Sequence, residues 1–127
     1  MPKPHRISEA EWIVMQEIWR TTPQPRTAAE VAAELMQRTD WSPRTIKTLL
    51  SRLVKKGALT FETEGNRYLY RPAVEQSECV RQESRSFVKR VFGGQTMPAL
   101  VHLVQSESLS DEQIEELRHL LAEKKTS

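Results

Sequence analysis

The segment from Ser42 to Gly57 constrains the fold more than any other, because it carries signals for both ends of one helix. Ser42 can cap the first turn, and Pro43 suits the first helical position, where its missing N–H costs nothing. Gly57 favours the backbone conformation that ends a helix. Apolar residues at helical spacing predict one face turned to a core; they are Ile46, Leu49, Leu50, Leu53 and Val54.

The opposite face of this helix is polar and basic, and the segment from 42 to 57 holds no acidic residue. Such a face is typical of a helix that contacts nucleic acid, although a basic face that serves only solubility is the alternative. We expect base-edge contacts from Arg44, Thr45, Thr48, Ser51 and Arg52, and phosphate contacts from Lys47, Lys55, Lys56 and Arg67.

The residues after Gly57 predict a β-hairpin. Residues 58–62 and 67–71 are short β-prone runs, and the loop of residues 63–66 between them contains Gly65. A helix followed at once by a hairpin is typical of a winged helix.

Two further helices are predicted upstream, each from a capping box. One box is formed by residues 8–11 and the other by residues 27–30. The first helix is expected to run to about Arg20 and the second to about Arg38. The order predicts a mainly α fold with a small β-hairpin, in which residues 1–72 form a winged helix-turn-helix domain.

Charge is distributed unevenly along the chain. Residues 1–72 hold 12 Lys and Arg against 8 Asp and Glu, whereas residues 73–127 hold 7 against 9. Positive charge is therefore concentrated in the part of the chain that contains the predicted DNA-contacting helix, as attraction to phosphate requires. A protein-interaction module built on the same fold, and less readily an RNA-binding domain, remain alternatives.

Residues 73–127 predict a helical dimerisation domain. They contain three amphipathic segments with too few apolar residues for a separate core. The segment of residues 97–104 is almost entirely apolar and is expected to be the most buried part, and residues 110–113 form another capping box. A tail that folds back on its own winged helix in a monomer is the alternative. The residues predicted at the dimer interface are Val88, Leu100, Val101, Leu103, Val104, Ile114, Leu117 and Leu121.

The sequence does not favour an enzyme, a cofactor or a metal site. The three histidines are scattered, and the four glycines form no phosphate-binding loop. The lone Cys79 predicts a small buried hydrophobic residue, with a redox-sensing thiol as the alternative. No apolar run approaches the roughly 20 residues of a membrane span, so we expect a cytoplasmic protein without membrane insertion.

Three stretches carry a resemblance to a known family. They are residues 7–12 with the pairs Val14-Met15 and Ile18-Trp19, residues 41–59, and Leu109-Ser110 followed by Ile114-Glu115-Glu116-Leu117. In these stretches the chain resembles the BlaI/MecI/CopY family of bacterial repressors. The resemblance implies a homodimeric winged-helix repressor. Its targets would be palindromic operators, commonly with TACA and TGTA halves, before resistance genes such as a β-lactamase or before metal-homeostasis genes.

Two departures qualify what this resemblance implies. Copper-sensing relatives end in a Cys-x-Cys tail, whereas this chain ends Lys124-Lys125-Thr126-Ser127, which disfavours copper or zinc binding. In the β-lactam branch, a pathway from a membrane sensor-protease cleaves an Asn-Phe bond upstream of the Leu-Ser block. His102 and Leu103 occupy that position here, so the resemblance makes them a candidate cleavage site and an inactivating protease a candidate partner.

Overall fold

Six helices and one β-hairpin make up residues 6–126, the part of the chain that the computed structural model describes. The elements are α1 (Glu9–Arg20), α2 (Ala28–Leu35), α3 (Pro43–Lys55), β1 (Leu59–Glu64), β2 (Arg67–Pro72), α4 (Gln76–Phe92), α5 (Thr96–Ser106) and α6 (Asp111–Thr126). The mainly helical fold with a small hairpin is thus confirmed. The chain divides into two units after Val80, inside α4, whereas the predicted domain boundary lies after Pro72 and stays a prediction.

The predicted capping boxes start α1 and α2. The Ser8 N–H donates to Glu11 Oε1 at 2.8 Å while the Glu11 N–H donates to Ser8 Oγ at 3.2 Å. Thr27 and Glu30 make the same exchange at 2.8 and 3.1 Å. Each box satisfies two backbone donors that a helix start otherwise leaves free.

The end of α2 differs from the prediction, since the helix stops at Leu35 rather than near Arg38. The backbone tightens there, since the N–H groups of Gln37 and Arg38 donate to the carbonyls three residues back, Glu34 and Leu35, at 3.3 and 3.0 Å. Such bonds close a tighter turn than the α-helix and often mark its end.

The core of the first unit lies between α1, α2, α3 and the start of the hairpin. The predicted apolar face of α3 is buried there except for Val54, which is half-buried. This burial fixes which side of α3 faces outward. The largest fully buried apolar side chains are Met15, Ile18, Leu35, Ile46, Leu50, Leu53 and Leu59.

The hairpin, or wing, is longer and turns more tightly than predicted. Its strands pair antiparallel from Leu59 opposite Pro72 to Glu64 opposite Arg67, so the loop has two residues instead of four. Gly65 adopts a φ of 66° and Asn66 has no positive φ, as in a type II′ turn, whose twist suits a hairpin. Arg26 adds a bridge to β2, with backbone bonds to Tyr70 of 3.0 and 2.7 Å.

The second unit exposes most of its apolar residues. Of residues 81–126, only Ala99 is buried. In the single chain Leu100, Val101, Leu103 and Val104 are 41–54% exposed, so the expected burial of residues 97–104 against a second copy stays a prediction. They are exposed because residues 81–126 supply no second apolar layer to cover them. Between Arg6 and Thr126, no helix has both the length and the apolar character to cross a membrane.

Candidate nucleic-acid interface

Helix α3 presents its polar face to solvent. Ser42 caps the helix by accepting the Thr45 N–H at 3.2 Å, and Pro43 occupies the first turn. With the apolar side packed in the core, seven of the nine predicted DNA-contacting residues are exposed along this helix. They are Arg44, Thr45, Lys47, Thr48, Ser51, Arg52 and Lys55.

The hydroxyl groups on this face are oriented by the helix itself. The Thr48 hydroxyl donates to the Arg44 carbonyl at 3.0 Å, and the Thr45 hydroxyl shares a hydrogen bond with Ser42 Oγ at 3.1 Å. A hydroxyl oxygen that makes one such bond keeps acceptor capacity. Thr45 and Thr48 can therefore still accept a hydrogen bond from a base amino group, which is how side chains read base edges.

An open groove of about 470 Å³ brings α3, the wing and the start of α2 together. It unites Lys47 and Ser51 with Arg67, which are distant in sequence. The Glu30 carboxylate already accepts the Thr27 N–H at the start of α2, so Lys47 and Arg67 are the groups of the groove that suit a phosphate. The groove also contains residues that the sequence analysis missed: Thr27, Ala28, Ala29, Asn66, Tyr68 and Tyr70. The capping box marks the start of α2, but only the folded structure places it beside Lys47.

Arg67 on the wing pairs with Glu64 across the turn at 2.7 Å. Both side chains are about 60% exposed, so this pair is weak and screened by salt. A DNA phosphate can compete with Glu64 for the guanidinium. Phe61 and Tyr68 stack beside it with ring centroids 4.3 Å apart, which stiffens the wing.

Lys56 is the exception among the predicted contacts. Its ammonium donates to Glu11 Oε1 and to the Arg6 carbonyl, the latter at 2.9 Å. Burial raises the pKa of Glu11, but the bonds from Lys56 and Ser8 outweigh it and hold the pKa below its ordinary value. Lys56 thus joins the end of α3 to the start of α1 within the protein, which disfavours its predicted phosphate contact.

Cys79 packs into the core of the first unit and is 7% exposed. Burial, with a smaller effect of the Glu78 charge, raises the pKa of its thiol. A raised pKa leaves little thiolate, the form that reacts with oxidants. This environment fits the buried hydrophobic residue and disfavours the redox-sensing alternative.

The remaining predicted site residues lie in the second unit. Val88 is half-buried, whereas the other seven predicted interface residues are exposed. His102 and Leu103, the candidate cleavage site, lie inside α5 and are exposed. Within residues 6–126, no cluster of three or more His, Cys, Asp or Glu side chains could hold a metal ion.

Comparison with known proteins identifies the family. The model of the penicillinase repressor family matches residues 7–123. The penicillinase repressor of Bacillus licheniformis is 38% identical over 125 residues, covering 98% of this chain and 96% of that one. The methicillin resistance regulatory protein MecI of Staphylococcus aureus is 36% identical over 122 residues, covering 96% and 98%.

Two solved structures resemble about three-fifths of the chain. The DNA-binding domain of the repressor BlaI matches with a TM-score of 0.54 and 42% identity, covering 61% of this chain and 93% of that one. Monomeric Bacillus licheniformis BlaI in complex with the blaP half-operator matches with a TM-score of 0.52 at the same identity and coverage. With the winged-helix architecture and nearly full-length matches in agreement, the chain belongs to the penicillinase repressor family.

Proposed function

We propose that this protein is a sequence-specific DNA-binding repressor that acts as a homodimer on a palindromic operator before a resistance-type gene. The observation that carries the proposal is the exposed basic face of α3, continuous with a groove that also takes in the wing. Family membership supports the repressor function, and the half-operator complex of BlaI supports DNA as the target. Because its target is operator DNA, the proposal places the protein in the cytoplasm.

In this proposal α3 reads base edges with Arg44, Thr45, Thr48, Ser51 and Arg52. These residues are exposed, and guanidinium and hydroxyl groups suit base edges in the major groove.

Phosphates are bound beside the reading residues. Lys47 and Arg67 lie on the groove that the start of α2 also lines, and Lys55 is exposed near the end of α3. These contacts set the position of the protein on DNA without reading its sequence.

The reading residues can be tested by replacing Arg44 and Thr48 individually with Ala. Each change is expected to cost about 1–3 kcal/mol on the operator and to relax discrimination against a scrambled duplex. Lys55→Ala is the matched control, since loss of a phosphate contact should weaken both duplexes alike. Unchanged operator affinity in both reading variants would refute the assignment.

The same titration separates the alternatives. Binding that falls steeply with salt yet withstands competitor DNA supports the repressor. Binding indifferent to salt favours a protein-interaction module.

Dimerisation is proposed to occur through the second unit. Large apolar side chains on α5 and α6 are 38–68% exposed, and a patch of that kind usually marks an interface. A two-fold dimer would present two copies of α3 to a palindrome.

Substituting Leu117 or Val104 with Glu should give a monomer whose winged helix still folds, because a charge at the interface would be buried unpaired. Sedimentation of wild type and variants at micromolar concentration measures this. A monomeric wild type would contradict the proposed dimer.

Inactivation by a protease partner is proposed at His102-Leu103. Because this bond lies within α5, local unwinding must precede cleavage. A chain ending at His102 should bind a half-site normally. Its affinity for the full palindrome should fall by a factor of about 10²–10⁴, which is the gain that linking two DNA-binding domains provides. Undiminished binding of the full palindrome by that chain would exclude this switch.

A further inference from the structure

We propose that the first unit binds a small oxyanion, a carboxylate or a phosphate, in an open pocket formed by Gln16, Glu17, Arg20, Arg38 and Gln76. The pocket has a volume of about 310 Å³ and shares no residue with the groove beside α3. The proposal therefore adds a second ligand site to the repressor and does not depend on how the protein contacts DNA.

The pocket is organised around a buried carboxylate. Glu17 is 2% exposed, and both of its oxygens accept hydrogen bonds from guanidinium groups. Oε2 accepts from Arg20 at 2.7 Å and from Arg26 at 2.8 Å, and Oε1 accepts from Arg20 at 3.2 Å and from Arg38 at 3.1 Å. Burial raises the pKa of Glu17, but the bonds from Arg20 and Arg26 outweigh it and hold the pKa below its ordinary value. Glu17 is thus ionised at neutral pH.

Three guanidinium groups around one carboxylate leave an excess of positive charge. The Arg26 guanidinium is not available to a ligand, because its side chain is only 11% exposed and also donates to Thr21 Oγ1 at 3.1 Å. Arg20 and Arg38 are different, since their side chains are 58% and 55% exposed. Each guanidinium has five N–H donors, of which Glu17 takes two from Arg20 and one from Arg38.

The N–H groups of Arg20 and Arg38 that Glu17 does not use suit an oxyanion. Guanidinium groups bind carboxylate and phosphate oxygens through paired, parallel hydrogen bonds. The amides of Gln16 and Gln76 line the same pocket, and Gln76 begins α4, whose first N–H groups favour negative charge. A volume near the lower end for ligand pockets fits a small molecule, and the polar residues on its wall do not favour an apolar one.

Two further carboxylates, Glu30 near Arg26 and Glu34 near Arg20, oppose this excess without abolishing it. The hydrogen bond to Glu17 and, to a smaller extent, the charge of Glu34 raise the pKa of Arg20, yet Glu34 makes no ion pair within 4.0 Å among the described residues. The two exposed guanidinium groups therefore remain accessible from the pocket.

The test uses the full-length protein and two probes, inorganic phosphate and succinate, each titrated against chloride at matched ionic strength. Nuclear magnetic resonance of ¹⁵N-labelled protein would follow the Arg20 Nε and the side-chain amides of Gln16 and Gln76. We expect saturable shifts of these signals with at least one probe. A response to phosphate alone or to succinate alone identifies which oxyanion the natural ligand carries.

Arg38→Gln should weaken this binding by about tenfold or more, since hydrogen bonds to charged groups contribute that much. Arg38→Lys should weaken it less, because the charge is kept and the paired donors are lost. The matched control is Arg44→Gln, which removes one arginine from α3 and should leave the shifts unchanged. The spectrum of each variant reports whether it is folded.

Three results would overturn the proposal. They are the absence of saturable shifts with both probes, binding by Arg38→Gln as tight as by the wild type, and equal weakening by Arg44→Gln. The last result would place the anion on the DNA-reading face instead.

Discussion

Replacing Glu17 with Gln is expected to lower the free energy of unfolding by about 3 kcal/mol. Breaking a buried ion pair by removing one partner costs about 3–5 kcal/mol. The lower end applies because Arg20 and Arg38 are more than half exposed and can return to water. Arg26, which is 11% exposed, would be left without its ionic partner. The Gln amide would also direct a donor toward groups that only donate.

Urea titration at one protein concentration measures this change. Fluorescence is a suitable probe, because all three tryptophans, Trp12, Trp19 and Trp41, lie in the first unit. A loss of about 3 kcal/mol corresponds to a midpoint about 1–3 M lower in urea. The control is Glu9→Gln, which removes the same charge from an exposed position in the first turn of α1 and should cost less than about 1 kcal/mol. Equal effects of the two substitutions would refute the role assigned to the Glu17 network.

Three further outcomes are expected. The folded protein holds the pKa values of Glu11 and Glu17 below 4.5, so it binds fewer protons than the unfolded chain. Urea midpoints should therefore be highest above about pH 4.5 and fall as acid protonates both groups, and Glu17→Gln should flatten that fall. Gly57→Ala should cost about 1–2 kcal/mol in the same titration. Gly57 has a φ of 82° and an added Cβ would meet no atom within 4 Å, so backbone strain alone acts. The Cys79 thiol should react far more slowly with an aromatic disulfide reagent in the native protein than in urea; equal rates would contradict its burial.

Local features of the fold could be predicted from the sequence because their causes are local. The capping boxes involve residues three positions apart, and the apolar spacing of α3 fixes its buried face without reference to the rest of the chain. The end of α2 was misplaced because the pattern of apolar residues does not reveal that Gln37 and Arg38 bond to carbonyls three residues back instead of four.

Features that depend on distant residues could not be predicted. Lys56 looks like one more basic residue of α3, and only folding brings it to Glu11, 45 positions away. The groove likewise joins the start of α2 to Lys47 and Arg67. By contrast, apolar composition alone indicated that residues 73–127 have too little apolar surface for a core of their own, and the exposed apolar side chains of α5 agree with it.

The central claim, that the outward face of α3 binds operator DNA, is tested most directly by the salt dependence of binding. Fluorescence anisotropy would use a duplex with the TACA and TGTA halves that the family resemblance implies. Lys47→Ala should lower affinity and reduce the slope of log affinity against log salt by about 0.9, the value for one phosphate contact. Lys89→Ala, an exposed lysine of α4, should match the wild type in both respects. If Lys47→Ala also matched the wild type in affinity and slope, the groove beside α3 would not be where the protein meets DNA.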